Sequence, residues 1–173
     1  MFLSELIMSR YVAGRLAVWI VLVMSGVPLM ADEAATDGFA VGTAVIDITP
    51  PQGYRMAGYY SERINTGTHD PLLARALVLK QGGEHAAIVI CDILFITRQV
   101  SQQARKEAFA RTGIPVGNIA VFATHSHTGP LYFGPLRDEL HRRVVARQGT
   151  DPCEKIDYST MLAGKIVEVI GQA

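Results

Sequence analysis

Residues 86–92 read Ala-Ala-Ile-Val-Ile-Cys-Asp, and residues 119–123 read Ile-Ala-Val-Phe-Ala. Both are short apolar runs with β-branched residues, the pattern of buried strands. Between them, from Thr97 to Arg111, Val100, Ala104, Ala108 and Phe109 recur at helical spacing, and Gly113 and Pro115 stop the helix. A strand–helix–strand unit of this length, residues 86–123, joins parallel strands by a crossover. The expected fold class is therefore α/β, with a mixed β-sheet and flanking helices.

Outward from this unit, Ala74-Arg75-Ala76-Leu77-Val78-Leu79-Lys80 alternates weakly and reads as another strand. Gln81-Gly82-Gly83-Glu84 is a hairpin-type turn, so this strand and the one after it are expected to be antiparallel neighbours. An earlier strand, Phe39 to Thr49, ends at Pro50-Pro51. Residues 52–70 form a long loop rich in turn formers, Gly53, Gly58, Asn65 and Gly67 among them, and such loops are often functional. Its centre, Met56-Ala57-Gly58-Tyr59-Tyr60, is apolar for a solvated segment, so it either borders a pocket or packs on the core. Beyond Pro130, Arg137, Arg142, Arg143 and Arg147 read as a solvated face, and a last helix runs from near Tyr158 through Ile166, Val167 and Ile170. Four strands and two helices leave open sheet edges, which proteins normally protect. Another chain, or further sequence of the same protein, is expected to complete the sheet.

The chain has 173 residues, 49% of them hydrophobic, and no formal net charge. That suits a single globular unit and excludes a basic nucleic-acid-binding class; no nucleic-acid partner is expected. The first 31 residues read as a secretory signal: Arg10 and Arg15 precede the uncharged run Leu16 to Ala31, and acidic Asp32-Glu33 follows. The run is shorter than the ~20 residues of a spanning helix, and retention as an anchor is the alternative. Residues 32–38 form a linker, and the folded segment is expected over 39–173. Export, to a periplasm or to the medium, permits disulfides, and Cys91 and Cys153 are the two cysteines. Cys91 ends an apolar strand and is expected to be buried, and a bridge between the two remains open.

The chemistry concentrates just past the second buried strand, in Thr124-His125-Ser126-His127-Thr128-Gly129-Pro130. In an extended chain residues i and i+2 share a face, so His125 and His127 can aim into one pocket. Neutral imidazole is a zinc ligand, but zinc takes three or four ligands, so two histidines are a start rather than a site. Polar capping of the strand is the alternative reading. Asp92, closing the neighbouring strand, either faces the same pocket or pairs with a nearby arginine.

These residues resemble the N-terminal part of the neutral/alkaline non-lysosomal ceramidases. Thr124 to Pro130 looks like that family's Thr-His-Thr-His-Ser-Gly-Pro, with serine and threonine exchanged. Met56-Ala57-Gly58-Tyr59 looks like its Met-x-Gly-Tyr loop, and Val41-Gly42-Thr43-Ala44 and Leu73-Ala74-Arg75-Ala76 resemble its strand entries. The resemblance spans roughly residues 40–170. It implies that His125 is a Zn2+ ligand and that His127 is catalytic, near the metal-bound water. Asp92, where it faces the pocket, would stand behind the metal ligand, and Gly58 and Tyr59 of the apolar loop would border the entrance and meet the substrate. The family's other ligands, a histidine, a glutamate and a tyrosine, come from further along a far longer chain. The segment is then the incomplete N-terminal part of a layered α/β/β/α catalytic domain, its missing C-terminal part being its natural partner.

The implied reaction is hydrolysis of the N-acyl bond of ceramide or a related lipid amide to a long-chain base and a fatty acid, with membrane contact through the substrate. Metallo-β-lactamase-like hydrolases also place His-x-His after a strand, but continue with an acid and a third histidine where Gly129 and Pro130 stand here. Amidohydrolase barrels use His-x-His on their first strand, whereas three strands precede it here. A non-catalytic exported scaffold or binding module with an incomplete metal site is the remaining alternative.

Overall fold

The structure, a computed structural model, describes residues 38–173. The expected signal segment, and the expected linker as far as Asp37, lie outside the described residues. Four strands form one sheet in the order β1 (Phe39–Asp47), β2 (Leu73–Gln81), β3 (Glu84–Cys91), β4 (Ile119–Ala123). β1 and β3 each pair antiparallel with β2, and β3 pairs parallel with β4. The hairpin at Gly82-Gly83 and the parallel crossover are thus where the sequence places them.

The crossover helix α1 (Arg98–Thr112) begins where the Thr97 side chain accepts the Val100 amide, 3.2 Å away, an N-cap. It ends where Gly113, at φ 76°, supplies the left-handed residue that closes a helix. Val100, Ala104 and Ala108 make its buried stripe. A second helix, α2 (Pro135–Gln148), corrects the reading of this basic stretch as a bare solvated face. The stretch is solvated, and no residue of the helix is fully buried, so no apolar stripe announces it. Its signals are local: Pro135 at the first turn, Gly149 left-handed at the end, and Glu139 bonded to Arg142 and Arg143 one turn on.

The last helix, α3 (Tyr158–Gln172), starts from Asp157, whose carboxylate accepts the Thr160 amide at 3.1 Å. It buries Tyr158, Leu162, Ala163, Ile166, Val167, Val169 and Ile170, and packs against α1 and across β1, β2 and β3. Glycine permits this approach: a Cβ on Gly42 would stand 1.7 Å from the Ala173 carbonyl oxygen. Ile46, Ala74, Ala76, Val89 and Cys91 look into this core from the sheet.

The opposite face of the sheet is uncovered by the described residues. Val45, Arg75, Ile90 and Phe122 are aligned across the four strands, with Val45 56%, Ile90 42% and Phe122 53% exposed. The described residues therefore supply one helical layer and one sheet of the expected α/β/β/α arrangement. Among them, no helix is long and apolar enough to cross a membrane. Both cysteines are free thiols, so the bridge left open by the sequence is not formed. Burial, aided by Asp92, pushes the Cys91 thiol up to about 12, which makes it an inert packing group.

Candidate functional site

β4 ends at Ala123, and the next residues are held to the end of β3 by hydrogen bonds rather than by continuing the strand. The Thr124 amide donates to Cys91 O at 3.0 Å and the Ser126 amide to Ile93 O at 3.2 Å. His125 has φ 63° and is the sole non-glycine residue with positive φ among those described. The alternation of the extended reading persists, with His125 and His127 on one side and Thr124, Ser126 and Thr128 on the other, but it passes through a left-handed kink at His125 rather than a regular strand. Such backbone strain in a non-glycine residue concentrates at functional sites.

The kink brings both rings into one cavity of about 530 Å³, lined by Gly58, Tyr59, Leu94, Phe95, Leu131 and Phe133 among others. The ring centroids of His125 and His127 are 5.1 Å apart. The His125 ring rests edge-on to Phe95 at 4.8 Å, and its Nδ1 lies 3.1 Å from the Leu94 carbonyl oxygen. A carbonyl can only accept, so Nδ1 carries a proton, and in the neutral ring Nε2 is then the nitrogen open to a metal. This is the backbone-carbonyl arrangement that orients metal-binding histidines.

Gly58, at φ 92°, lies against His127: a Cβ there would come within 2.6 Å of His127 Cγ. The loop strand that carries Gly58 runs beside the exit from the His-x-His segment. The Ala57 amide donates to Gly129 O and the Leu131 amide to Arg55 O, both at 2.8 Å. Gly58→Ala is expected to displace the His127 ring and to cost about 1–3 kcal/mol from overpacking and positive φ together. The checks are a chemical denaturation curve and the ring resonances of His127; an unmoved ring would remove Gly58 from the site.

Alternate residues of the same segment face elsewhere. Thr124, Ser126 and Thr128 line a separate, more polar cavity of about 540 Å³ with Asn65, Asp70 and Asp92. Asp92 thus stands outside the lining of the His125–His127 cavity. Its carboxylate accepts from Arg75 Nη1 at 2.8 Å and from the Leu73 amide at 3.2 Å. Of its two sequence readings, the arginine pair is the one seen.

Sequence reasoning missed the apolar lining from Leu94, Phe95, Leu131, Phe133 and Leu136. The run Ile93 to Ile96 was too short to separate from the strand before it, and Leu131 to Phe133 had no partner visible in sequence. It also missed a buried charge cluster. Arg55, 1% exposed, donates to Glu62 at 2.7 Å, to Asp151 at 2.6 Å and to Glu154 at 3.4 Å. His141 Nδ1 meets Asp151 at 2.9 Å, and Arg137 holds Glu154. Burial alone would raise the Asp151 carboxyl, but hydrogen bonds from Arg55, the Cys153 amide and His141 overcome it and hold it below the usual carboxylate range.

His141, Asp151 and Glu154 place ligand atoms within 4.8 Å of one another, a group of the kind that can hold a metal ion. Two guanidinium groups already occupy its carboxylates, so a cation there would have to displace them. Among the described residues, His125 and His127 belong to no group of three or more such side chains with clustered ligand atoms. They fit part of a zinc centre: two nitrogen donors, one with its tautomer fixed, where an open catalytic zinc uses three protein ligands.

No protein-family model matches the sequence, and no curated protein matches it. Solved structures do. The chain is similar to the neutral ceramidase from Pseudomonas aeruginosa, with TM-score 0.60 and 24% identity over 78% of this chain and 21% of that one. It is likewise similar to a ceramidase solved in complex with C2, with TM-score 0.59 and 23% identity over 78% of this chain and 21% of that one. The described fold is that of one part of a neutral ceramidase, and the chain spans about a fifth of the length of the solved structures it matches.

Proposed function

We propose that this chain is the N-terminal, metal-binding segment of an exported zinc-dependent amidase that cleaves the N-acyl bond of ceramide or a related lipid amide. The observation that carries this reading is the His125 ring, its Nδ1 proton held by the Leu94 carbonyl and its Nε2 free, in a cavity shared with His127 and walled by apolar side chains. Hydrolysis of a lipid amide needs both an acyl-sized apolar wall and polar chemistry at one end of it. His125 would hold the metal. Zinc, when bound, would supply a polarised carbonyl and a water of lowered pKa. His127 would hold and move a proton at Nε2, since Gly58 lies against the Cβ–Cγ–Nδ1 side of its ring. Gly58 and Tyr59 would border the acyl chain. The remaining ligands would come from the later part of a longer protein, whose substrate brings it to membrane surfaces.

The test is release of labelled fatty acid from ceramide by the longer protein that carries this segment, with chelation and zinc restoration. Activity indifferent to chelation would refute the zinc reading. Residues 32–173 alone are expected to release none, with zinc added or without, because two donors do not make an open zinc site. They are also expected to self-associate through the uncovered sheet face, which sedimentation would read. Turnover by this segment, lost on chelation, would mean that it contains the whole site. A non-catalytic exported module is the second reading, favoured by the absence of a third clustered donor beside His125 and His127 among the described residues. Export itself is proposed from the Leu16 to Ala31 run. Mass spectrometry of exported protein should find a mature start near Asp32, and an intact Met1 would refute cleavage.

A further inference from the structure

We infer that Arg63 is a positioning residue of this site, fixing Tyr59 and His127 relative to each other; the inference rests on the proposed role of that cavity and assigns the residue that sets its geometry. Arg63 Nη2 donates to two carbonyl oxygens, Ala57 at 2.9 Å and His127 at 2.7 Å. One guanidinium nitrogen thus bridges the Gly58–Tyr59 loop and the backbone of the second histidine. The same guanidinium lies over the Tyr59 ring, with Cζ 3.6 Å from its centroid, a cation–π stack. That stack presents Tyr59 edge-on to the His127 ring, at 6.1 Å between centroids and 78° between planes. Three parts of the site therefore meet at one side chain.

Two further observations set this apart from an ordinary loop anchor. The Arg63 backbone is itself fixed, because its carbonyl accepts the Met56 amide at 2.8 Å and so returns the loop upon the strand that carries Gly58. Arg63 Nε is buried and has no partner among the described residues. An unpartnered buried N–H is costly, so the stack and the two carbonyl bonds hold the side chain against that cost. Lysine cannot replace this arrangement. Its ammonium is a compact point charge without the planar surface that stacks on a ring.

His125 touches the His127 ring, 5.1 Å away, but makes no contact with Arg63 and has its own anchors at Leu94 and Phe95. The test uses that independence. The chain is prepared with labelled histidine and tyrosine rings, and ring-to-ring nuclear Overhauser contacts are recorded for wild type, Arg63→Met and Arg63→Lys. Wild type should show a Tyr59–His127 contact and a His125–Phe95 contact. Both variants should lose the first and keep the second, with the melting temperature little changed. Persistence of the Tyr59–His127 contact in either folded variant overturns the proposal, as does its absence in wild type. Loss of both contacts in Arg63→Lys also overturns it, because Arg63 would then be holding the whole loop rather than this pair. No arm reads zinc or amide cleavage, so failure of the amidase reading and failure of this one are distinguishable.

Discussion

Asp151→Ala is expected to lower the melting temperature by about 10–20 °C, the largest stability effect of any single change considered. Asp151 gives the buried Arg55 guanidinium its shortest contact, 2.6 Å, and both side chains are almost wholly excluded from solvent. Its removal leaves Arg55 with Glu62 at the surface and Glu154 at 3.4 Å. Breaking a buried ion pair from one side costs about 3–5 kcal/mol, because a charge stays behind without compensation. For a domain of this size each kcal/mol is worth about 3–5 °C. The pH dependence has a definite sign. The Asp151 carboxyl is held below its unfolded value, so its contribution is complete above the unfolded pKa of about 4 and disappears as pH falls through the folded value. Thermal melts of wild type and variant should therefore converge in acid and separate above pH 5. A melting shift of under about 2 °C at neutral pH would show that Glu62 and Glu154 suffice for Arg55.

His125→Ala is expected to strip zinc and abolish amide cleavage in the longer protein, while His127→Ala keeps most of the zinc and lowers the rate by ~10–10⁴-fold, the range of proton-transfer and outer-shell groups. The division follows from the surroundings of the two rings. His125 has its proton fixed on Nδ1 by a carbonyl and its ring pressed on Phe95. His127 is positioned through its backbone and through Gly58. Metal analysis beside initial rates reads both effects. Equal zinc loss in the two variants would make both histidines ligands and undo the division.

The fold was legible where burial writes a period. β3 and β4 are continuous apolar runs bounded by polar and turn residues, and α1 repeats its apolar positions every third to fourth residue because one stripe faces the core. α2 was not legible from periodicity, since a helix with no fully buried residue leaves no stripe; Pro135 and Gly149 were its punctuation. In the site, the pairing of His125 with His127 was legible from spacing, and Thr124, Ser126 and Thr128 line the other side as alternation requires. The positive φ at His125 was not legible, because a single non-glycine kink has no sequence signature. Gly58 and Tyr59 were placed near the site by resemblance, and they line its cavity. Asp92 was ambiguous because an acid at a strand end satisfies a neighbouring arginine as readily as a metal ligand. Arg55 and its two buried acids, Asp151 and Glu154, stand too far apart in sequence for their contact to be read without the fold.

The central claim is that the metal-binding end of this segment is His125 and not the acidic cluster around His141. Calorimetric titration of zinc into the chain tests it most directly, run beside His125→Ala and His141→Ala. The account predicts weak binding that disappears in His125→Ala and is unchanged in His141→Ala, because Asp151 and Glu154 are already held by Arg55 and Arg137. Binding that survives in His125→Ala and is lost in His141→Ala would contradict it, as would a wild-type chain that takes up no zinc.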